Sequence, residues 1–496
     1  METVWILGDQ LSRGIASLEG RDAGDTRILM VESATVLGSR RWHRQRLHLV
    51  LTAMRRFARE LEREGFDVDF RTAPSFADGL RAHRLEHRPA RVLAMEPSSY
   101  DLRELLDRLC VELVRSNQFL CHYEEFANWA EGRKRLRLED FYRWQRRRLG
   151  VLMDGDEPAG GRWNYDSENR EPPPPTAERG WPEPVRSRLD EVDREVLDSL
   201  PPNVFGAQPA GLWATSRRGA FARLRRFVDD VLPRFGPHQD AMLEGDWHLA
   251  HSLLGHALNL GLLHPLEVCE AAETAYREGR APIASVEGFV RQALGWREYV
   301  WGVYWLEMPG YREANALGAT RPLPPVFRGE AETEMRCLAD ALAGVEERAY
   351  LHHIQRLMVV GNLGLLAGIV PLELADWMTE SFVDSAEWVM LPNVLGMALY
   401  ADGGLMATKP YAASGRYLDR MSDHCASCRF DPAKRVGDEA CPYTTLYWDF
   451  LARNRERLEG NPRLGNQLRT LGRLRDVPAV RERAREVLDR LDRGRL

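Results

Sequence analysis

Three cysteines near the C-terminal end of the chain have a spacing that suggests chemistry. Cys425 and Cys428 are separated by two residues, so both thiolates can reach one metal centre, and Cys441 follows after a short polar segment. Three thiolates fit either a tetrahedral zinc ion or an iron–sulfur cluster. The fourth ligand is open at this point: His424 suits zinc, and Cys337 is a thiol alternative farther upstream.

The remaining cysteines and the start of the chain indicate the compartment. Cys110, Cys121 and Cys269 lie among apolar residues and are predicted to be core side chains. The opening METVWILGDQLSRG lacks the basic region of a signal peptide, and no run of ~20 apolar residues could cross a bilayer. We therefore expect a cytoplasmic protein without a membrane segment. There, an odd number of cysteines favours metal binding over a disulfide framework.

Two adjacent histidines, His352 and His353, begin a segment that is otherwise apolar. A histidine in such a place is either a hydrogen-bonded core residue or a proton donor, because imidazole titrates near neutral pH. The residues alone leave both interpretations open.

The first part of the chain alternates strands and amphipathic helices, which predicts a parallel sheet covered by helices on both faces. Ligands of such sheets bind at the carboxyl ends of the strands, where Asp9, Gln10 and Glu32 lie. No glycine-rich dinucleotide or phosphate-loop motif follows the first strand. The predicted strands cover 3–9, 27–33, 66–72 and 91–97.

The rest of the chain divides into a connecting region and a large helical domain. We expect an α/β domain over 1–130, a linker over 131–205 that contains four consecutive prolines, and an all-α domain over 206–496. The net charge of −6 means that any contact with nucleic acid needs a local basic patch. Two arginine-rich runs, 132–150 and 215–227, are candidates, although a charge run is also typical of a solvated face.

Several longer motifs occur in one order along the chain. They are GRWNYDSENR (161–170), QDAMLEGDWHLAHSLL (239–254), GWREYVWGVYW (295–305), HHIQRLMVVGNLGLLAGI (352–369) and the segment 392–432. In these motifs the chain resembles the bacterial iron–sulfur photolyases and cryptochromes, which include the prokaryotic (6-4) photolyases. The resemblance implies a doubly wound antenna domain followed by a helical FAD-binding domain.

The resemblance also implies cofactors and ligands. A [4Fe–4S] cluster would be held by Cys337, Cys425, Cys428 and Cys441, which supplies the missing fourth ligand. FAD would lie in the helical domain. The residues matching its binding site are Ser252, Leu253, Gln292, Trp296, Glu298, Arg356 and Asn393.

For the reaction, the resemblance implies light-driven repair of (6-4) pyrimidine–pyrimidone photoproducts in DNA. His353 matches the family's proton donor, His352 would orient it, and Tyr411 with Tyr417 would line the lesion pocket. The enzyme would recognise UV-damaged DNA by its lesion rather than by sequence, as a monomer. Two rivals remain: a cryptochrome-like light receptor with the same cofactors, and a zinc-bearing nucleic-acid-binding module.

The family's light-driven reduction of flavin uses aromatic side chains, and here the match is incomplete. Trp377 matches one member of that chain, but Met378 and Met397 stand where relatives can carry tyrosine or tryptophan. Trp301 and Trp305, with Tyr304, are alternatives.

The resemblance also implies that Asp9, Gln10 and Glu32 could contact an antenna, 6,7-dimethyl-8-ribityllumazine, although the segment after Glu32 does not match the expected contacts.

Overall fold

The N-terminal domain is built on five parallel strands. A computed structural model describes all residues, 1–496. The strands are β1 (Glu2–Trp5), β2 (Thr26–Ser33), β3 (Asp67–Ala73), β4 (Val92–Met95) and β5 (Glu112–Val114), in the spatial order β3-β2-β1-β4-β5. The four predicted strands are confirmed, and β5 is an additional short edge strand. The predicted fold class is confirmed as well.

The strands are almost continuously apolar because helices cover both faces of the sheet. Val4 and Ile6 pack into a core shared with helical residues of the second half of the chain, whereas Trp5 and Leu7 face a smaller core on the opposite side. Side chains alternate between the two faces of a strand, which explains this separation. The sheet therefore packs directly against the helical part of the molecule.

Helices account for most of the remaining structure. No helix is long and apolar enough to span a membrane. The region 131–205 contains two helices, a small hairpin (Met153–Asp154 with Glu157–Pro158) and short 3₁₀ turns. Helices in the first 200 residues span Ala34–Gly38, Arg44–Arg63, Phe76–His87, Tyr100–Arg108, Tyr123–Ala130, Leu138–Leu149 and Glu191–Ser199. Later helices span Arg217–Arg226, Gly255–Asn259, Pro265–Arg277, Ile283–Val290, Arg297–Glu307, Arg336–Arg348, Asn362–Ala367, Pro371–Ser381, Glu387–Leu391, Gly415–Met421, Pro442–Arg453, Arg455–Leu458, Gly465–Arg473 and Val477–Asp492.

Four wide, π-helical turns adjoin these helices; one, Phe227–Val231, follows the helix Arg217–Arg226, and the other three lie close together. The π segments Arg291–Trp296, Gln355–Gly361 and Pro392–Ala398 each continue directly from or into an α-helix. π turns are rare and occur frequently at functional sites because the extra residue per turn redirects side chains. All three segments border the same cavity.

Candidate functional site

A large cavity, the central cavity, lies among the helices of the second half of the chain. Its volume is about 790 Å³, within the ~300–1,000 Å³ range of pockets that enclose small molecules. Each of the three π segments contributes to its wall, for example through Gln292, Arg356 and Asn393. Of the site residues predicted from the sequence, those that line this cavity are Ser252, Gln292, Trp296, Arg356, Asn393, His353, Tyr411 and Tyr417.

Four residues predicted from the sequence lie outside the wall of this cavity. Leu253 is buried and faces away from it, next to the buried Arg223. Glu298 is fully buried and turns towards the N-terminal domain, where it accepts a hydrogen bond from the backbone N–H of Cys121 at 2.9 Å. The prediction that Glu298 lines the flavin cavity is therefore corrected: the neighbouring Arg297 does so instead. His352 and Trp377 also lie behind the wall.

Arg297 and Glu298 form a buried ion pair between the cavity and the N-terminal domain. Arg297 Nη1 lies 2.9 Å from Glu298 Oε1, and the guanidinium stands 4.1 Å from the centre of the Phe119 ring. Adjacent residues of a helix point about 100° apart, so one of the pair reaches the cavity and the other supports it from behind.

Arg356 and Asp384 form an ion pair in the wall of the central cavity. Arg356 Nη2 lies 3.0 Å from Asp384 Oδ1, and its Nε donates to the backbone carbonyl of Leu351 at 2.7 Å. One buried oxygen in the wall, Oε1 of Gln239, accepts no hydrogen bond within the protein. An unpaired buried polar atom is costly, so this oxygen suits a polar ligand in the cavity.

The predicted histidine pair has a third member that sequence reasoning missed. The partly buried ring of His251 stacks on the buried His352, with centroids 4.5 Å apart and planes inclined by 13°. The His353 ring lies 5.4 Å from His251, half exposed in the cavity wall, and its Nε2 is 3.3 Å from Asp240 Oδ1. His251 directly precedes Ser252 in the motif HSLL, and Asp240 belongs to the motif QDAML, so both lay within segments already singled out.

The two stacked histidines, His251 and His352, are uncharged at neutral pH. Burial lowers the pKa of His251 and of His352 well below the ordinary value, and the neighbouring histidines and Arg356 lower both pKa values further. Neither ring nitrogen of His352 has a hydrogen-bond partner in the protein. His352 therefore acts as a neutral packing surface behind His353.

Cations surround the mouth of the central cavity. Lys409, Arg420 and Arg463 line it beside Tyr411 and Tyr417, and Arg463 Nη1 donates to Thr408 Oγ1 at 2.7 Å. These side chains come from segments that the charge pattern did not highlight. They place positive charge where a polyanion would approach the cavity.

The arginine-rich runs contribute less free charge than their composition suggests. Arg146 is fully buried and donates to backbone carbonyls, and Arg223 is buried and donates to Gly211. Arg217 and Arg226 form ion pairs with Glu267 and Asp230. Much of each run therefore stabilises the fold.

Trp377 is buried beside two phenylalanines. Its indole N–H donates to the carbonyl of Phe327 at 2.7 Å, and its ring neighbours are Phe327 and Phe382. It has no tryptophan or tyrosine ring beside it.

The four predicted metal ligands converge on one void. Cys337 comes from the helix Arg336–Arg348, while Cys425, Cys428 and Cys441 come from the segment before the helix Pro442–Arg453. Burial, and then the neighbouring thiols, raise the pKa of Cys337, so this side chain would be a neutral thiol without a cation nearby.

The distances between the cysteine sulfurs bear on whether a single zinc ion or a larger cluster would fit. Tetrahedral zinc with Zn–S bonds of about 2.3 Å places its sulfurs about 3.8 Å apart. No three of the four sulfurs lie within 4.8 Å of one another. His424 lines the same void, but its Nε2 is directed at Asp340 Oδ2, 3.1 Å away. Gly415 keeps the space beside Cys441 open, since a Cβ there would lie 2.7 Å from the sulfur.

The residues at the strand ends are bonded within the protein. The buried carboxyl of Asp9 accepts a hydrogen bond from Ser98, and Glu32 pairs with Arg55 at 2.8 Å. Gln10 donates to the carbonyls that follow β4, while its Oε1 is buried without a partner. Of the three, only Gln10 has a buried polar atom without a partner.

Comparisons with known proteins agree with this architecture. Residues 4–207 match the family model described as deoxyribodipyrimidine photo-lyase-related protein. The chain is 44% identical, over 99% of its length and 100% of the relative, to the (6-4) photolyase of Agrobacterium fabrum. It is also 31% identical over 134 residues to an uncharacterised protein of Acanthamoeba polyphaga mimivirus, which covers 27% of this chain and 100% of that protein.

A solved structure shares the fold. The crystal structure of a bacterial class III photolyase from Agrobacterium tumefaciens superposes with a TM-score of 0.60 at 15% identity, covering 99% of this chain and 98% of that one. At this identity the likeness concerns the fold alone. With the full-length identity to the Agrobacterium fabrum enzyme, these findings show that the chain belongs to the photolyase family.

Proposed function

We propose that this chain is a light-driven DNA repair enzyme that acts on (6-4) pyrimidine–pyrimidone photoproducts. The observation that carries the proposal is the central cavity, in which a half-exposed histidine, His353, lies in the same wall as the residues predicted to contact flavin. The full-length relative at 44% identity is a (6-4) photolyase, which supports the same lesion class.

Flavin-based chemistry belongs to the photolyase family, and we propose FAD as the occupant of the central cavity. The unpaired Oε1 of Gln239 and the charged pair of Arg356 with Asp384 fit a large polar ligand. Asn393 would face the ring system through its amide oxygen, because its Nδ2 donates to the carbonyl of Val389 at 2.7 Å. A bound reduced flavin would supply, after light absorption, the electron that opens the lesion.

His353 is our candidate for the residue that gives a proton to the lesion. Its Nε2 lies 3.3 Å from Asp240 Oδ1, which orients the ring, and the exposed half of the side chain is open to a base in the cavity. The stacked rings of His251 and His352 lie beside the His353 ring and support it. Tyr411 and Tyr417 would line the lesion pocket, and Lys409, Arg420 and Arg463 would bind the phosphates around a flipped-out lesion.

The decisive experiment uses an oligonucleotide that contains a single (6-4) photoproduct. Under blue light the purified holoprotein should restore the bases, and an identical dark sample should not. His353→Ala should lower the repair rate 10²–10⁴-fold, the usual contribution of a positioned proton donor, with flavin content unchanged. His87→Ala, in the N-terminal domain, is the matched control and should repair normally.

Repair in the dark, or absence of any repair by a flavin-loaded protein, would reject the proposed light-driven repair. Full activity of His353→Ala would reject His353 as the proton donor. A flavin-loaded protein without repair would instead support the light-receptor alternative. Cyclobutane dimers assayed in parallel define the lesion class.

For the cysteines we propose a [4Fe–4S] cluster held by Cys337, Cys425, Cys428 and Cys441. Four thiols around one void fit such a cluster, and their separation is too wide for a single zinc ion. It would join the C-terminal segment to the helix Arg336–Arg348. Cys337→Ser should lower the iron content, whereas Cys269→Ser, which removes a buried thiol elsewhere, should not. Zinc in place of iron in the wild-type protein would refute the proposal.

A ribityl-lumazine antenna at Asp9, Gln10 and Glu32 remains a prediction. The free Oε1 of Gln10 supports a polar ligand there, while the internal bonds of Asp9 and Glu32 do not. Mass spectrometry of the chromophores released by denaturing the holoprotein tests it, with lumazine expected and flavin alone refuting it.

A further inference from the structure

Two histidines and an aspartate meet in the N-terminal domain, outside the central cavity. His83 and His87 lie one turn apart on the helix Phe76–His87, and Asp69 lies on β3, an edge strand of the sheet. Residues four apart share one face of a helix, so both imidazoles can reach the strand. Their ring nitrogens and a carboxylate oxygen of Asp69 all lie within 4.8 Å of one another. We name these three residues the histidine–aspartate cluster.

The distances in the histidine–aspartate cluster are close to those of a metal site. His83 Nδ1 lies 2.5 Å from Asp69 Oδ2, and His87 Nε2 lies 3.3 Å from the same oxygen. Zinc with nitrogen and oxygen ligands at about 2.0–2.1 Å holds neighbouring ligand atoms about 3.3 Å apart. The contact of His87 already has this spacing, and only the shorter contact of His83 has to lengthen.

The buried histidine of the cluster has a partner on its other side. His83 is fully buried, and its Nε2 lies 2.9 Å from Thr3 Oγ1 on β1. A histidine that binds a metal through one nitrogen usually donates a hydrogen bond from the other, which fixes the ring and its tautomer. When Nε2–H donates to Thr3, the lone pair of Nδ1 is directed towards Asp69.

The charge around the cluster favours a cation. Arg71 Nε donates to Asp69 Oδ2 at 2.6 Å, and Arg71 Nη2 donates to Glu86 Oε2 at 2.7 Å and lies 3.4 Å from His87 Nε2. Carboxylates that bind a metal are normally held by hydrogen bonds of this kind. Two carboxylates against one guanidinium leave an excess of negative charge, which a divalent ion would balance.

The cluster can be reached from solvent. The side chain of His83 is 0% exposed, but those of Asp69 and His87 are 12% and 19% exposed. The contacts that Asp69 makes with Arg71 and the two histidines all go to Oδ2, which leaves Oδ1 for a metal. Glu86 Oε1, 3.7 Å from His87 Nε2, can approach as a fourth ligand.

We propose that Asp69, His83 and His87 bind one divalent metal ion, with zinc as the expected metal. Imidazole ligands suit zinc, copper and nickel, whereas magnesium and calcium prefer oxygen ligands alone. The bound ion would join β3 to the helix Phe76–His87 and, through Thr3, to the central strand β1. It would therefore stabilise the N-terminal domain, and the proposal is independent of the repair reaction.

The test is a calorimetric titration of the full-length holoprotein with zinc chloride after dialysis against EDTA. The wild-type protein should bind zinc at this site, and His87→Ala, at a partly exposed position, should bind it at least tenfold more weakly. His353→Ala is the matched control, because His251, His352 and His353 form the other group of histidines close enough to share a metal. This variant should bind zinc as tightly as the wild type.

A second pair of variants tests the positioning role of Thr3. Thr3→Val has the same shape but offers His83 no hydrogen-bond acceptor, and it should weaken zinc binding 10–100-fold. Thr3→Ser keeps the hydroxyl and should restore the wild-type affinity. A purely structural role for Thr3 would leave the zinc affinity of the two variants equal, which would contradict this part of the proposal.

Two measurements on the wild-type protein do not depend on the folding of any variant. X-ray diffraction at the zinc absorption edge should show an anomalous peak between Asp69, His83 and His87. Zinc should also raise the midpoint of thermal unfolding, because a ligand that binds only the folded state stabilises it.

The proposal is overturned by any of three results. These are an absence of zinc binding by the wild-type protein, an anomalous peak only at another place in the molecule, or a loss of zinc binding in His353→Ala with none in His87→Ala. Magnesium bound as tightly as zinc would also contradict the choice of metal. The repair assay separates this proposal from the proposed function, since His87→Ala should lose zinc and still repair the (6-4) oligonucleotide.

Discussion

A buried histidine makes the stability of this protein depend on pH in a way that can be calculated. His256 is 1% exposed, its Nε2 accepts a hydrogen bond from the backbone N–H of Ala214 at 3.0 Å, and its ring lies 5.2 Å from Trp213. Burial, and then the positive charge of Arg223, lower the pKa of His256 to about 3. The folded protein therefore keeps this imidazole neutral far below the pH at which an exposed histidine becomes charged.

The sign follows from which state binds the proton. In the unfolded chain the histidine has its ordinary pKa of about 6.5, so the unfolded state takes up a proton as the pH falls and the folded state does not. The contribution to stability is present above pH 6.5 and is lost as the pH falls from 6.5 towards 3. Between pH 7.0 and 5.5 the loss from this one residue is about 1.3 kcal/mol.

His256→Gln isolates this contribution. Glutamine retains an acceptor for the Ala214 N–H and does not titrate, so the free energy of unfolding of the variant should fall about 1.3 kcal/mol less than that of the wild type over the same pH range. Other buried histidines, including His43 and His352, are present in both proteins and cancel in the difference.

The assay is urea unfolding at pH 7.0, 6.5, 6.0 and 5.5. Far-UV circular dichroism and tryptophan fluorescence should report the same transition, with Trp213 as a local probe. Parallel pH curves for the two proteins would refute the reasoning, because they would mean that His256 is protonated in the folded state.

Two further predictions concern the packing between the domains. Glu298→Ala leaves the guanidinium of Arg297 buried without its partner and should lower the free energy of unfolding in urea by about 3–5 kcal/mol. The double change Arg297→Met with Glu298→Leu should recover most of this loss. A loss below ~1 kcal/mol in Glu298→Ala would contradict the buried ion pair. Gly302→Ala would place a Cβ about 2.1 Å from ring carbons of Phe126 and should lower stability by at least ~1–3 kcal/mol, with partial rescue by Phe126→Leu; an unchanged unfolding midpoint would contradict the close packing.

Local patterns sufficed to predict the elements of the N-terminal domain. The strands were visible because a sheet covered on both faces needs continuous apolar runs. Asp9, after β1, and Glu32, at the end of β2, could be located once these strands were predicted. The short edge strand Glu112–Val114 was missed, since three partly exposed residues carry no such run.

Distances along the chain limited the prediction of the site. The Cys425–Cys428 pair is a local signal, but Cys337 is brought to it by the packing of a distant helix, and only the family resemblance supplied it beforehand. Charge density along the chain was a poor guide to the cations that line the cavity. Arg146 belongs to an arginine-rich run and is buried, whereas Lys409 and Arg463 lie outside these runs and line the cavity.

By itself the sequence determined the fold class and the resemblance to photolyases, because these depend on composition, on periodicity and on short motifs. The tertiary structure alone decided which neighbours share a surface. It directed Arg297 into the wall of the central cavity and Glu298 towards the N-terminal domain, and it stacked His251 on His352. Such contacts arise from side-chain directions and helix packing over long chain separations, and a one-residue difference on a helix turns a side chain by about 100°.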